Sequence, residues 1–306
     1  MGVTVTRDVV RHFSALVLTI FADALALRPG MWRELATVVQ STQASEEYAW
    51  LSQVPVMREF IDERKITALG EYGFALKNKK WESTIGFERE VLEDDQTGNV
   101  RVRIMQMVEQ AYAHYDKLIF ELIASGENNL AYDGAPFYGE HATGGTTYTN
   151  LDVLALTAEN LETAVSQMMR IPLDNGEPAM VKPTHLLVPP ELWWTAKRLV
   201  NSAMTPDANA AGGAGQSAIN PLFGELIPVA SPRLTSATEW HLLDNSHPIR
   251  PFFLQQRIAP EMQALDGTDG TTETDFMRDI YVYGVRARHN AGYGLPHFAF
   301  KSTGAG

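Results

Sequence analysis

Residues 101–125 read RVRIMQMVEQAYAHYDKLIFELIAS, a run with no glycine and no proline. Apolar side chains fall at Ile104, Val108, Ala111, Tyr115, Leu118 and Leu122, in alternating steps of four and three. Met105, Tyr112 and Ile119 widen the stripe, while Arg103, Gln106, Glu109, Gln110, Asp116, Lys117 and Glu121 lie off it. That period is the mark of a helix with one buried face. Ser125-Gly126 supplies its stop, because glycine tolerates the left-handed conformation that ends many helices. At ~1.5 Å per residue the rod is about 37 Å long. The stretch therefore predicts a spine with sheet packed along it.

The chain just before the spine differs in kind. Tyr72–Leu76 and Thr84–Val91 read as strands, with Ile85, Phe87, Arg89 and Val91 alternating against Gly86, Glu88 and Glu90. Lys77-Asn78-Lys79-Lys80 is the natural turn between them, and Asp94–Gly98 closes the excursion. A two-stranded ribbon over Leu69–Gly98 is marginal alone in water. Phe74, Trp81, Ile85 and Phe87 therefore need a partner surface, in the same subunit or in a neighbour. Lys77, Lys79 and Lys80 beside Glu88, Arg89, Glu90 and Glu93 give charges of both signs that can set register across a contact.

Toward the N-terminus, Arg7–Leu27 reads as one helix, broken by Arg28-Pro29-Gly30, and Met31–Gln40 resumes helical spacing. Ser41–Ser45 is small and polar and reads as a flexible joint, and Glu47–Arg64 as an amphipathic segment bent at Pro55. Beyond the spine, Asn128–Asn150 is a glycine-rich connection. Thr157–Ile171 is a helix capped by Thr157, Thr184–Val188 a buried strand, Glu191–Ser202 a helix and Ala208–Ser217 a low-complexity link. Phe223–Arg233, Trp240–Leu243 and Pro251–Gln256 read as short strands, Asp266–Thr274 as a polar turn, and Asp279–Arg288 and His297–Lys301 as closing strands. No internal repeat is visible.

Composition narrows the function. The 306 residues are 45% hydrophobic, enough for a sizeable core and about two domains. A net charge of −12 makes the chain a poor non-specific binder of nucleic acid. With no cysteine, neither a disulfide framework nor a thiolate metal site can form. The apolar run Phe13–Ala22 is shorter than the ~20 residues that span a bilayer, so no membrane role is expected. The eight histidines include no HExxH motif; Glu140-His141 in a loop and the carboxylates Glu93-Asp94-Asp95 are the nearest approach to a metal or general-base set. His114 reads as a solvated residue beside the spine's polar face. Ala211–Gly215 lacks the Gly-Lys-Ser/Thr ending of a phosphate loop. No catalytic residue, cofactor site or metal site is expected.

The order of parts resembles the Hong Kong 97-type fold of tailed-phage major capsid proteins, an α+β architecture. Four stretches, EEYAWLSQVPVMREFIDERKI (46–66), ALKNKKWESTIGFEREVLEDDQTG (75–98), YDGAPFYGEHA (132–142) and DIYVYGVRARHNAGYGLPHFAF (279–300), are similar to the Mu-like prophage major head subunit family. The resemblance implies an N-terminal arm over 1–45, a peripheral domain over 46–68, 101–149 and 265–306, an extended β-ribbon loop over 69–100 and an axial domain over 150–264. It implies a non-enzymatic subunit that self-assembles, as hexamers and pentamers, into an icosahedral head around double-stranded DNA. That assembly is expected in the host bacterial cytoplasm, with the protein ending in the virion. The intersubunit contact is expected on the ribbon, at Phe74, Lys77, Lys79, Lys80, Trp81, Ile85, Phe87, Glu88 and Arg89. Because this chain begins almost at the arm, scaffolding protein and maturation protease are expected as separate chains, with a portal and decoration proteins as further partners. An acidic inner wall suits packaged DNA, since tight phosphate binding would hinder packaging and ejection. Two other readings stay open: an encapsulin-like compartment of the same fold, and a metal-dependent hydrolase using His141, Glu140 and the Glu93–Asp95 cluster.

Overall fold

The computed structural model describes residues 15, 17–23, 30–48, 74–88, 99–143, 145–173, 177–206, 217–265 and 280–304. In chain order the strands are β1 (Ala36–Gln40), β2 (Ser45–Tyr48), β3 (Phe74–Lys77), β4 (Lys79–Glu88), β5 (Glu140–Thr143), β6 (Thr146–Thr149), β7 (Leu151–Asp152), β8 (His185–Val188), β9 (Met204–Pro206), β10 (Ser217–Ile219), β11 (Ile227–Ala230), β12 (Trp240–Leu243), β13 (Phe252–Ala264), β14 (Ile280–Tyr293) and β15 (Ala299–Ser302). The helices are α1 (Trp32–Leu35), the spine α2 (Asn99–Ser125), α3 (Ala158–Met169) and α4 (Trp193–Asn201). Residues 17–23 are also helical. No helix among the described residues is long and apolar enough to cross a membrane.

The spine forms as its period predicts, but its burial is uneven. Ile104, Val108, Tyr112, Tyr115, Leu118 and Ile119 are buried, whereas Met105 is 40% exposed. Further along, Phe120 and Ile123 are buried as well, so the second half is enclosed beyond one stripe. Gly126 follows without a positive φ. A Cβ there would stand 2.5 Å from the Tyr138 ring, so close approach, not left-handed backbone, requires glycine at this stop.

Two sheets flank the spine. The first has the order β1-β13-β14-β4, and the second β11-β8-β12-β15-β7. Val108, Ile119 and Ile123 of α2 join Phe252 and Leu254 of β13, Tyr283 and Val285 of β14 and Phe87 of β4 in a first core. Leu161 and Met168 of α3, Ala196 and Val200 of α4 and Trp240 and Phe300 of the second sheet make a second core. The second sheet is the wall between them. Leu186 and Val188 face the second core and Leu187 the first; Leu242 faces the second and Leu243 the first. Side chains alternate across a strand, so a strand buried on both faces reads as an unbroken apolar run. The runs LLV in β8 and LL in β12 have this origin.

Several expectations hold with small shifts. Thr157 caps α3, its hydroxyl accepting from the Asn160 N–H at 3.2 Å. The Thr184–Val188, Glu191–Ser202, Trp240–Leu243 and Asp279–Arg288 segments appear as β8, α4, β12 and β14. Others are corrected. Met31–Gln40 is helical only over α1; Thr37, Val38 and Val39 then run as β1, parallel to β13, because β-branched side chains fit a strand better than a helix. The Ser41–Ser45 joint is an ordered turn. Glu46 accepts from the Ser41 hydroxyl and from the N–H groups of Thr42 and Gln43 at 2.8–2.9 Å. Those donors, the Gln43 N–H foremost, hold its carboxyl below the usual range. Within the described part of residues 1–45, Val17, Phe21, Trp32 and Leu35 lie in the first core. β13 lies in the first sheet and β15 in the second, where Phe300 joins the second core. Arg89, the Glu93–Asp95 cluster, most of Glu47–Arg64, Ala211–Gly215 and Asp266–Thr274 lie outside the described residues.

Candidate intersubunit surface

The ribbon residues are placed by strands that do not pair with each other. β3 runs antiparallel to β2, with Lys77 opposite Ser45 and Phe74 opposite Tyr48. β4 runs antiparallel to β14 over its whole length, from Lys79 opposite His289 to Glu88 opposite Ile280. The expected hairpin turn at Lys77–Lys80 is therefore a crossing between two sheets. Asn78 pins it: the side-chain amide donates to the Ser41 hydroxyl at 2.7 Å and the Gln43 carbonyl at 2.8 Å, and its N–H donates to the Ala44 carbonyl. The physical reason is apolar supply. β14 offers Tyr281, Tyr283 and Val285 on one face, which cover Phe87, Ile85 and Ser83 opposite them.

This pairing divides the expected contact residues. Phe87 is 1% exposed, its ring 5.9 Å from Tyr283, and Ile85 packs on the same core. Trp81 is half-buried; its indole N–H donates to the His289 carbonyl at 3.0 Å and its ring lies 4.2 Å from His114. Of the two partner surfaces left open for the ribbon aromatics, the subunit's own spine and β14 cover Trp81, Ile85 and Phe87, which corrects their expected place in an intersubunit contact. His114 is likewise corrected, from solvated to half-buried, and burial lowers its pKa. Lys77, Lys79, Lys80 and Glu88 remain exposed.

On the outward face, Lys80, Glu82 and Glu88 stand opposite Arg288, Arg286 and Ile280. Arg286 also faces Glu261 of β13, with Nε to Oε1 at 3.7 Å. Directly opposed partners share a face. The face therefore carries an alternating Glu82–Arg286–Glu261 row across three strands and, beside it, the like-charged pair Lys80–Arg288. Arg288 Nε is buried with no partner among the described residues.

A second surface was not legible in the sequence. Met204 of β9 and Ile219 of β10 are ladder partners, 56% and 84% exposed. Asn220 ties this pair to the end of α4 through the Leu199 and Ser202 carbonyls. Phe223 and Ile227 follow, both more than half exposed, and Ile227 opens β11, the edge strand of the second sheet. Exposed apolar residues gathered on one element pair mark an interaction surface. The one sequence signal was an apolar flank on either side of the low-complexity stretch.

Among the described residues, Glu140 and His141 do not come together as a reaction centre. His141 is buried in β5, Nδ1 lying 2.6 Å from Asp133 Oδ2 and Nε2 3.3 Å from the Phe137 carbonyl. Glu140 next to it is exposed. Among the described residues no three metal-type side chains come together. Lys301, buried, bridges Glu127 at 2.8 Å and Glu239 at 3.2 Å, an internal pairing that uses up its charge.

Comparison with known proteins gives the chain's relatives. The model of the family described as Mu-like prophage major head subunit gpT matches residues 10–153, 148–219 and 227–305. The chain is 28% identical over 301 residues to the Mu-like prophage FluMu major head subunit of Haemophilus influenzae, covering 98% of this chain and 75% of that protein. It is 25% identical over 285 residues to the major capsid protein of Escherichia phage Mu, covering 93% and 70%. Among solved structures, a chain of the bacteriophage JBD30 procapsid is similar at a TM-score of 0.59 and 28% identity, covering 97% of this chain and 76% of that one.

Proposed function

From the premise that this chain belongs to the Mu-like prophage major head subunit family and is a structural head protein, not an enzyme, we propose that its copies close as hexamers and pentamers into an icosahedral shell around double-stranded DNA. The chain is a major capsid protein of the phage virion, and its principal partner is itself. The carrying observation is a family match over nearly the whole length, and the two outward surfaces supply the chemistry a repeated heterologous contact needs. The exposed charges Lys77, Lys79, Lys80 and Glu88 are the ribbon contact to a neighbouring subunit. The apolar rim of Met204, Ile219, Phe223 and Ile227 is the contact around a symmetry axis. The axial domain is then the second core, residues 148–243 with 295–302, and the spine with the first sheet is the peripheral domain. Assembly takes place in the host cytoplasm with scaffolding protein, protease and portal, and decoration proteins bind the finished shell.

An encapsulin-like compartment would use the same fold, but the family match favours a head. Electron microscopy of the expressed chain with its scaffold tests the reading. Closed shells able to take up DNA are expected. A stable monomer at high concentration, or shells filled with a co-purified enzyme, would overturn it.

A further inference from the structure

The first sheet ends in an unguarded edge. β4 is its last strand, 10 residues long, unbroken in register against β14 and without proline. Its other side has no strand among the described residues, and Ser83, Thr84 and Gly86 are exposed. The remaining edges of the two large sheets are shorter: 5 residues in β1, 4 in β11 with Pro228 among them, and 2 in β7. A long, flat edge offers its free N–H and C=O groups as a template for another strand. Beside that edge stands a charge the subunit does not balance. Lys80 lies opposite Arg288, and among the described residues neither has a carboxylate partner. Like charges directly opposed weaken a ladder, so this pair calls for an acid from outside.

We propose that the free edge of β4 pairs with β4 of a second copy, antiparallel, about a two-fold axis at Thr84. The two first sheets then join into one. This contact rests on the shell proposed above, whose icosahedral symmetry supplies two-fold axes, and it adds a self-complementary patch to the heterologous ones. The register follows from charge. With Thr84 opposite Thr84, Lys80 stands opposite Glu88 at both ends, and Glu82 opposite Gly86. Glu88 of the second copy thereby brings its carboxylate to the Lys80–Arg288 pair. On the inward face Trp81 stands opposite Phe87 and Ser83 opposite Ile85, so no charge is opposed to an apolar ring. Other registers fail. An axis at Ile85 sets Glu82 against Glu88, one at Glu82 sets that residue against itself, and one at Ser83 leaves Lys80 opposite Gly86. An axis between two residues would turn the two spines to opposite faces of the joined sheet.

The test is oxidative cross-linking of the full chain carrying one introduced cysteine, a residue the sequence lacks. Opposed Cα atoms of paired antiparallel strands lie about 4.5–5.5 Å apart, within the span of a disulfide. Thr84→Cys should therefore link to its counterpart as the main product on a non-reducing gel. Glu82→Cys is equally exposed but about 13 Å from its counterpart, and should not link. The oxidation is run on the unassembled chain at high concentration as well as on shells, so it reads out whether or not shells form. Lys80→Glu sets like charges together at both ends and should weaken dimerisation of the free chain about tenfold in ultracentrifugation. Adding Glu88→Lys restores opposite charges and should recover it. No link at Thr84→Cys, equal linking by the two cysteines, or no recovery by Glu88→Lys would overturn the contact, and normal shells beside any of these would leave the shell standing. Linking at Thr84→Cys without shells would uphold the contact and count against the shell.

Discussion

The outward face of β4–β14 and the rim formed by β9, β10 and the start of β11 differ in what they can contribute to assembly. The first is charged, with Glu82, Arg286 and Glu261 in a row and Lys80 opposed to Arg288. The second is apolar, with Met204 and Ile219 side by side. An exposed ion pair is worth roughly 0.2–1 kcal/mol and is screened by salt. Apolar surface returns about 25 cal/mol per Å² whatever the salt. On the proposed reading, charge sets register and encounter rate, and the rim supplies strength. The ribbon aromatics that looked like the adhesive are spent inside the subunit, on the spine and β14.

Phe87→Asp breaks this comparison most severely. A carboxylate in the first core should cost about 3–5 kcal/mol, so the unassembled chain should lose stability or fail to fold in urea titration. A variant that stays folded and only fails to assemble would return the adhesive role to the ribbon. Met204→Asp combined with Ile219→Asp should leave the monomer within about 0.5 kcal/mol of the parent, as surface changes do, yet abolish shells in electron micrographs. Shells at normal yield would remove the rim from the account.

Acid separates core from surface. His241 and His289 are pushed down to about 3 and His297 to about 4, in each case chiefly by burial. They stay neutral in the folded chain but protonate near 6.5 once unfolded, so the unfolded state binds more protons below that value. Stability should be full above about pH 6.5 and decline as pH falls toward about 4, read as a falling melting temperature of the unassembled chain. A flat profile over that window would mean these histidines are not buried neutral. The smallest effect belongs to Lys80→Glu. Placed opposite Arg288, a glutamate should stabilise the β4–β14 ladder by about 0.2–1 kcal/mol, while slowing assembly and reversing its response to added salt. Unchanged assembly kinetics would take Lys80 out of the contact.

The spine, the Thr157 cap, β8, α4 and β12 were legible because each rests on local pattern, whether a 3.6 period, a capping hydroxyl or an apolar run. The ribbon was legible as strand but not as pairing. Alternation at Ile85 and Phe87 says which face is apolar and nothing about what covers it. Lys77, Lys79, Lys80 and Glu88 are exposed, as charges beside a crossing between strands should be, whereas the exposed pair Met204 and Ile219 was missed because single apolar residues beside a small-residue link carry no periodic signal. His114 was misread because a helix position beside the polar face can still be roofed by a distant strand.

By itself the sequence determined that a long helix would anchor an α+β body, and it carried the motifs that mark the Mu-like head family. The tertiary structure alone decided which strand lies beside which. Trp81 meets His289 across 208 positions of chain, and β1 finds β13 across a comparable gap. No local pattern encodes such a partner, because the choice depends on which apolar face remains uncovered once the spine and both sheets have come together.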